Sequence, residues 1–158
     1  MTSDIKQLQK EILSRSNSTD WVDAKREWHL NYIYYCDNYG DNQCLCLHPI
    51  MESCVLRNSE NGKEAVVGNV CVKKFMDLDE PDKIFQAFHR VTKDNNLPLN
   101  EAAIVYARKQ DWINDWERGF YLDTWRKRKM TDKQVAKRLE INNLVIRKIR
   151  SARRPTNL

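Results

Sequence analysis

Glycine and proline are scarce, at four residues each in a chain of 158. That scarcity disfavours a fold of many short strands and tight turns, and it favours helices. No apolar run approaches the roughly 20 residues that a membrane-spanning helix needs, so no membrane partner is expected. The start, MTSDIKQLQKEILSRS, is too polar for a secretory signal peptide. The expected compartment is therefore cytoplasmic, where thiols stay reduced. Also absent are a phosphate-binding G-x-x-x-x-G-K-[ST] loop, a dinucleotide-binding glycine fingerprint and the H-x-E…P-C-x-x-C pattern of zinc deaminases. A nuclease built on a hairpin and a helix would need a general-base histidine near its first strand. His48 is the one histidine in that region, and a ligand role competes for it. The expectation is a non-enzymatic protein.

What is present is concentrated. All five cysteines fall between Cys36 and Cys71, an odd number in one region, which points to metal or plain burial rather than a disulfide framework. Charge is just as uneven. Residues 126–158 hold twelve Lys/Arg against two Asp/Glu, a net of +10, while residues 1–125 hold fifteen against twenty, a net of −5. A basic tail of this kind suits a polyanion, with nucleic acid the commonest candidate.

Hydrophobic spacing divides the chain into N-terminal helices (1–35), a cysteine-rich module (36–77), a helical region (78–125) and a basic C-terminal segment (126–158). Ile5, Leu8, Ile12 and Leu13 line one helix behind a Ser3 or Asp4 cap. Trp21, Ala24, Trp28 and Tyr32 suggest a second, although LNYIYYC also suits a strand. Around Cys54–Arg57 and Glu64–Val67, two β-prone runs flank Asn61-Gly62, a strong hairpin signal. Val70, Phe75 and Met76 then suggest a short helix. Pro81 opens a helix that buries Ile84, Phe85, Phe88 and Val91, and Asn100 caps the next. Trp112, Trp116, Phe120 and Trp125, spaced near four, suggest core, with Trp125 also placed to stack on a base.

The candidate metal ligands are Cys44, Cys46, Cys54 and Cys71, with His48 and Cys36 as alternates. A Cys-x-Cys pair puts two sulfurs on one tight turn. A hairpin brings its own ends together, so Cys54 and Cys71 can meet. Several thiolates with no evident open position suit a structural Zn2+ ion. The order knuckle, hairpin, short helix is similar to treble-clef zinc fingers. CLCLHPI followed by CVLRNSENGKEAVVGNVCVKKF, with MTDKQ at 130–134, resembles uncharacterised bacterial and phage zinc-binding proteins with a CxCG…N…G…VGxxCIxxF pattern. The resemblance implies a zinc module and no particular activity. Leu47 stands where that pattern has glycine, a residue that eases a knuckle backbone at positive φ.

Residues 130–149 resemble a helix-turn-helix segment. Thr131 and Gln134 make a capping box, Val135, Ala136 and Leu139 an inner face, and Val145, Ile146 and Ile149 the inner face of a second helix. Asn142, Asn143, Arg147, Lys148 and Arg150 would then face a groove, and Arg126, Lys127, Arg128 and Lys129 would hold phosphates. The alternative is a helical cap with a solvated basic face. The combined expectation is a mainly α protein with a small β-hairpin zinc module, binding nucleic acid, most naturally DNA, through a basic C-terminal helix pair. The rival is a phage-type interaction module that binds or inhibits a host protein, with the acidic body making the contact.

Overall fold

The computed structural model describes residues 2–152 and 155. Its elements run α1 (Thr2–Arg15), α2 (Trp21–Arg26), β1 (Trp28–Tyr35), a 3-10 turn (Tyr39–Asp41), β2 (Glu52–Asn58), β3 (Glu64–Gly68), α3 (Asn69–Phe75), α4 (Glu80–Lys93), α5 (Glu101–Lys109), α6 (Asp115–Thr124) and α7 (Asp132–Ser151). The chain is mainly helical with one small sheet. It forms two compact units, one up to Pro81 and rejoined at Ala152, the other from Asp82 to Ser151.

In the first unit α1 buries Leu8 and Ile12, as their spacing predicts. The second helix is shorter than the aromatic spacing suggests. It is capped by Asp20, whose side chain accepts the Asp23 N–H, and it ends at Arg26. From Trp28 the chain is a strand, and His29 and Tyr32 belong to it. The run WHLNYIYY is rich in residues that fit a pleated surface, and it finds a partner in β2 along its whole length, with one irregularity between Leu30 and Tyr32. Glu27, at the junction, is buried although charged. Its carboxylate accepts from the Asn58 amide (2.9 Å) and from the N–H groups of Asn17 (2.7 Å) and Ser18 (2.8 Å). Those bonds, Asn58 first, hold its carboxyl below the usual range against the opposing effect of burial.

The hairpin predicted from Asn61-Gly62 is present as the β2–β3 pair of a three-stranded antiparallel sheet, order β1-β2-β3. Gly62 takes φ +75°, a conformation costly for a residue with a Cβ. Asn58 closes the turn: its side-chain oxygen accepts from the Glu60 and Asn61 N–H groups. Register then sorts the side chains between the two faces. Ser53 pairs with Gly68 and Val55 with Val66, while Cys54 pairs with Val67 and Leu56 with Ala65. Because the side-chain period of a strand is two, Cys54 lies on the opposite face from Ser53, Val55, Val66 and Gly68. On the Val55 face, Tyr34, Val55 and Val66 pack with Tyr32, Cys36, Ile50 and Ala152. At α3 the inward residues are Val72 and the C-cap Met76, while Val70 is exposed. The short helix is as expected, with Met76 buried and Phe75 half-buried, but Val70 faces out and Val72 takes the inward place.

The second unit is the more basic one, with sixteen Lys/Arg against nine Asp/Glu between residues 82 and 151, a net of +7. Helix α4 buries Ile84, Phe85, Phe88 and Val91, and Asn100 caps α5 by accepting the Ala103 N–H at 2.9 Å, both as predicted. Helix α6 starts at a reciprocal capping box between Asn114 and Glu117. The tryptophan ladder does not form a single core stripe: Trp116 is 66% exposed and stacks on Phe120 with ring centroids 5.6 Å apart.

The helix pair expected at 130–149 is one uninterrupted helix of 20 residues, Asp132–Ser151. The Thr131–Gln134 capping box is formed in both directions. However, no glycine or proline interrupts residues 132–151, and Glu140 is a good helix former, so nothing breaks the helix at the expected turn. Its buried face is Arg138, Ile141, Asn142, Val145 and Ile149, a stripe at spacings of three and four. Val135 and Ala136, expected inside, are exposed.

Candidate metal centre

The site begins with a short knuckle between the 3-10 turn and β2. Gln43 bridges Pro49, the Cys44 N–H donates to the His48 carbonyl (2.9 Å), the Leu47 N–H donates to the Cys44 carbonyl (2.9 Å), and the Ile50 N–H donates to the Asn42 carbonyl (3.1 Å). These bonds fold residues 42–50 back on themselves and put Cys44 and Cys46 on one turn. The tightness falls on Leu47, which is 57% exposed and takes φ +78°. This is the position where the resembling pattern carries glycine. Leu47→Gly should therefore stabilise the first unit by about 1 kcal/mol. A urea titration checks this; an unchanged or lowered midpoint would mean that the leucine side chain offsets the backbone strain.

Cys71 arrives from the first turns of α3. The Sγ atoms of Cys44, Cys46 and Cys71 all lie within 4.8 Å of one another, with Cys71 Sγ 3.6 Å from Cys46 Sγ. The Cys46 N–H points at Cys44 Sγ at 3.4 Å. Gly68 is needed for the approach. A Cβ there would come within 2.9 Å of Ile50 Cγ2, so the Ile50 side chain would have to shift, and it would sit in contact with Cys44 Cβ at 3.8 Å.

The electrostatics single out Cys44 as the thiol that ionises first. Its pKa is lowered to about 6, chiefly because the Cys71 thiol donates to it, with the Cys46 and Gly68 N–H groups adding to the effect against the cost of burial. Cys71 is correspondingly pushed up, because it gives its proton to that bond. Burial raises Cys46. A buried trio of close sulfurs, one already inclined to the thiolate form and fed by backbone N–H donors, can hold a metal ion.

Of the residues singled out from sequence, Cys44, Cys46 and Cys71 come together and Cys54 does not. Cys54 is fully buried on β2, on the sheet face opposite Gly68, and burial drives its thiol well up. Cys36 packs against the Tyr34, Val55 and Val66 cluster. His48 is not within the sulfur trio, yet it lines the same cavity of about 390 Å³ as the three thiols, together with Asp4 and Lys74. Its Nε2 lies 3.1 Å from Asp4 Oδ1. Asp4, expected as a helix cap, sits inside α1 and bonds this side chain instead. No sequence signal could have linked two residues 44 apart.

The expected nucleic-acid residues separate into two groups. Arg126, Lys127, Arg128 and Lys129 are exposed on the α6–α7 connector, and Arg147, Lys148 and Arg150 are exposed on the last turns of α7. None of these seven forms an ion pair among the described residues, although Arg126 lies over the Trp125 ring at 4.6 Å. Asn143 is exposed and accepts from the Asn95 amide. Asn142 is the exception, a correction to its expected groove-facing role. It is fully buried, accepts from the Tyr121 hydroxyl (2.5 Å) and donates to the carbonyls of Asn95 (2.9 Å) and Leu97 (2.7 Å). The basic tail beyond Ala152, apart from residue 155, lies outside the described residues. Among the described residues, no helix is long and apolar enough to cross a membrane. Comparison with protein-family models, with curated proteins and with solved structures finds no match.

Proposed function

We propose that this chain is a non-enzymatic, zinc-stabilised nucleic-acid-binding protein. Cys44, Cys46 and Cys71 would hold a structural Zn2+ ion that ties the knuckle to the head of α3. Thiolate-rich sites favour zinc over harder cations, and the resemblance to bacterial and phage zinc-binding proteins supports the same choice. A small sheet gains order from such an ion that its limited core supplies less well.

The observation that carries the nucleic-acid reading is the run Arg126–Lys127–Arg128–Lys129, four consecutive exposed cations with no ion-pair partner among the described residues, on a unit of net charge +7. Other cations of this unit are already satisfied internally: Arg108 pairs with Asp111 and Asp115, and Lys137 with Glu117 and Glu140. With Asn142 buried and the helix pair replaced by one helix, contact would be mainly with phosphates, which position the protein without specifying sequence. Fluorescence anisotropy across a salt series tests this with duplex DNA, single-stranded DNA and RNA. Replacing residues 126–129 with glutamine should flatten the slope of log K against log salt by up to about 3.6 on a duplex, at about 0.9 per phosphate neutralised. No binding at low salt would end the reading.

One observation favours the second reading, a module that binds or inhibits a host protein. The exposed Trp116, stacked on Phe120, has the character of an interface anchor. Partner capture lost on Trp116→Ala and unchanged in the 126–129 glutamine variant would select it.

A further inference from the structure

We propose that His48, held by Asp4, is the fourth ligand of the metal centre; the inference rests on the zinc reading above. Three sulfurs close together leave a tetrahedral ion one position short. The cavity they open into offers the His48 imidazole and the Asp4 and Glu52 carboxylates as further donors, and of these an imidazole suits a thiolate-rich zinc site better than a carboxylate does. Among the six candidate ligands singled out from sequence, only Cys44, Cys46, Cys71 and His48 line that cavity. Cys54 is excluded by strand register, since it projects from the face opposite Ser53 and Gly68. Cys36 is occupied in the apolar cluster beside Tyr34.

His48 belongs to the same knuckle as Cys44 and Cys46, and its own carbonyl accepts the Cys44 N–H. Its backbone is thus fixed relative to two of the thiols. Its side chain is 63% exposed, so turning the ring toward the sulfurs about its bond to Asp4 displaces no core residue. The Asp4 carboxylate already holds Nε2 at 3.1 Å, which leaves Nδ1 as the nitrogen for the metal. A carboxylate on the distal nitrogen is the usual support for a metal-bound histidine, because it sets the tautomer and raises the ring's basicity. Asp4 lies in α1, so the ligand set would also fasten the first helix to a site formed about 40 residues later.

The test is a competitive titration of the full chain with Zn2+ against a chromophoric chelator, paired with Co2+ absorption spectra. Wild type should bind one equivalent. His48→Ala should weaken binding by at least tenfold, and His48→Cys should restore it while strengthening the sulfur-to-cobalt charge-transfer band. Asp4→Asn should cost about tenfold, the lower end of the range for a supporting carboxylate. Cys54→Ala should bind as wild type does. Since His48 is exposed, unchanged circular dichroism of the apo forms should show that its variants fold. Wild-type affinity in His48→Ala, or a loss caused instead by Cys36→Ala or Cys54→Ala, would overturn the assignment and leave the zinc reading standing. A wild-type chain that bound no zinc would defeat both.

Discussion

With zinc in the thiol trio as proposed, Cys71→Ser will leave the purified protein without stoichiometric metal, and the first unit will lose stability to the same degree as chelated wild type. Cys71 is the member of the trio supplied by α3, whereas Cys44 and Cys46 share the knuckle. Removing it breaks the link between the two segments, not merely one of several equivalent bonds. The loss of affinity should exceed the roughly 100-fold ceiling for a supporting residue, because binding energy and folding energy are the same quantity in a site of this kind. Metal analysis of the reduced protein reads the first outcome, and thermal melts with and without chelator read the second. Cys54→Ala is the contrast. It should keep one equivalent of zinc and pay only for a small core cavity. Zinc retained by Cys71→Ser and lost from Cys54→Ala would mean that the ligand set includes the strand cysteine after all.

Asn142→Ala will destabilise the second unit by about 3 kcal/mol, the sum expected for stranded buried polar groups plus a cavity. Asn142 connects three segments. It accepts from Tyr121 on α6 and donates to two carbonyls of the 94–100 connector, while the same Tyr121 hydroxyl accepts the Leu99 N–H at 2.9 Å. With alanine, the buried Tyr121 hydroxyl loses its acceptor and two part-buried carbonyls of the connector lose their donor. Asn143→Ala, one residue along and exposed, should stay within about 0.5 kcal/mol. Urea denaturation compares the pair. If Asn142→Ala matched Asn143→Ala in stability yet weakened nucleic-acid binding, the buried network would be the wrong account and the groove-facing role would return.

The contrast between neighbouring asparagines shows where sequence reasoning ends. Asn142 and Asn143 are the same residue type on the same basic stretch, and composition gives them one role. Only the phase of α7 against its neighbours separates them. That phase depends on whether the helix is broken at Glu140, and local propensity alone favoured continuity. The resemblance to a helix-turn-helix segment points the other way.

Elsewhere local signals sufficed. Asn61-Gly62 marks the hairpin because Gly62 takes the positive φ that its turn needs, and Asn100 and Thr131 cap their helices through bonds made within three residues. Leu47 is a case of both kinds. The pattern located a positive-φ position, and the structure shows the leucine occupying it.

What the sequence by itself determined, then, is whatever a few adjacent residues settle between them: α1, α4 and α5, the Asn100 and Thr131 caps, the hairpin, the Cys44–Cys46 knuckle and the uneven charge. Tertiary structure decided everything that depends on which side of an element a residue falls. The period of two put Cys54 on the far face from the thiol trio. The pairing of WHLNYIYY with β2 made Trp28 part of a strand and no longer of a helix. A carboxylate from α1 reached His48 across 44 residues. Each is a long-range choice, made by packing partners that the local chain does not contain.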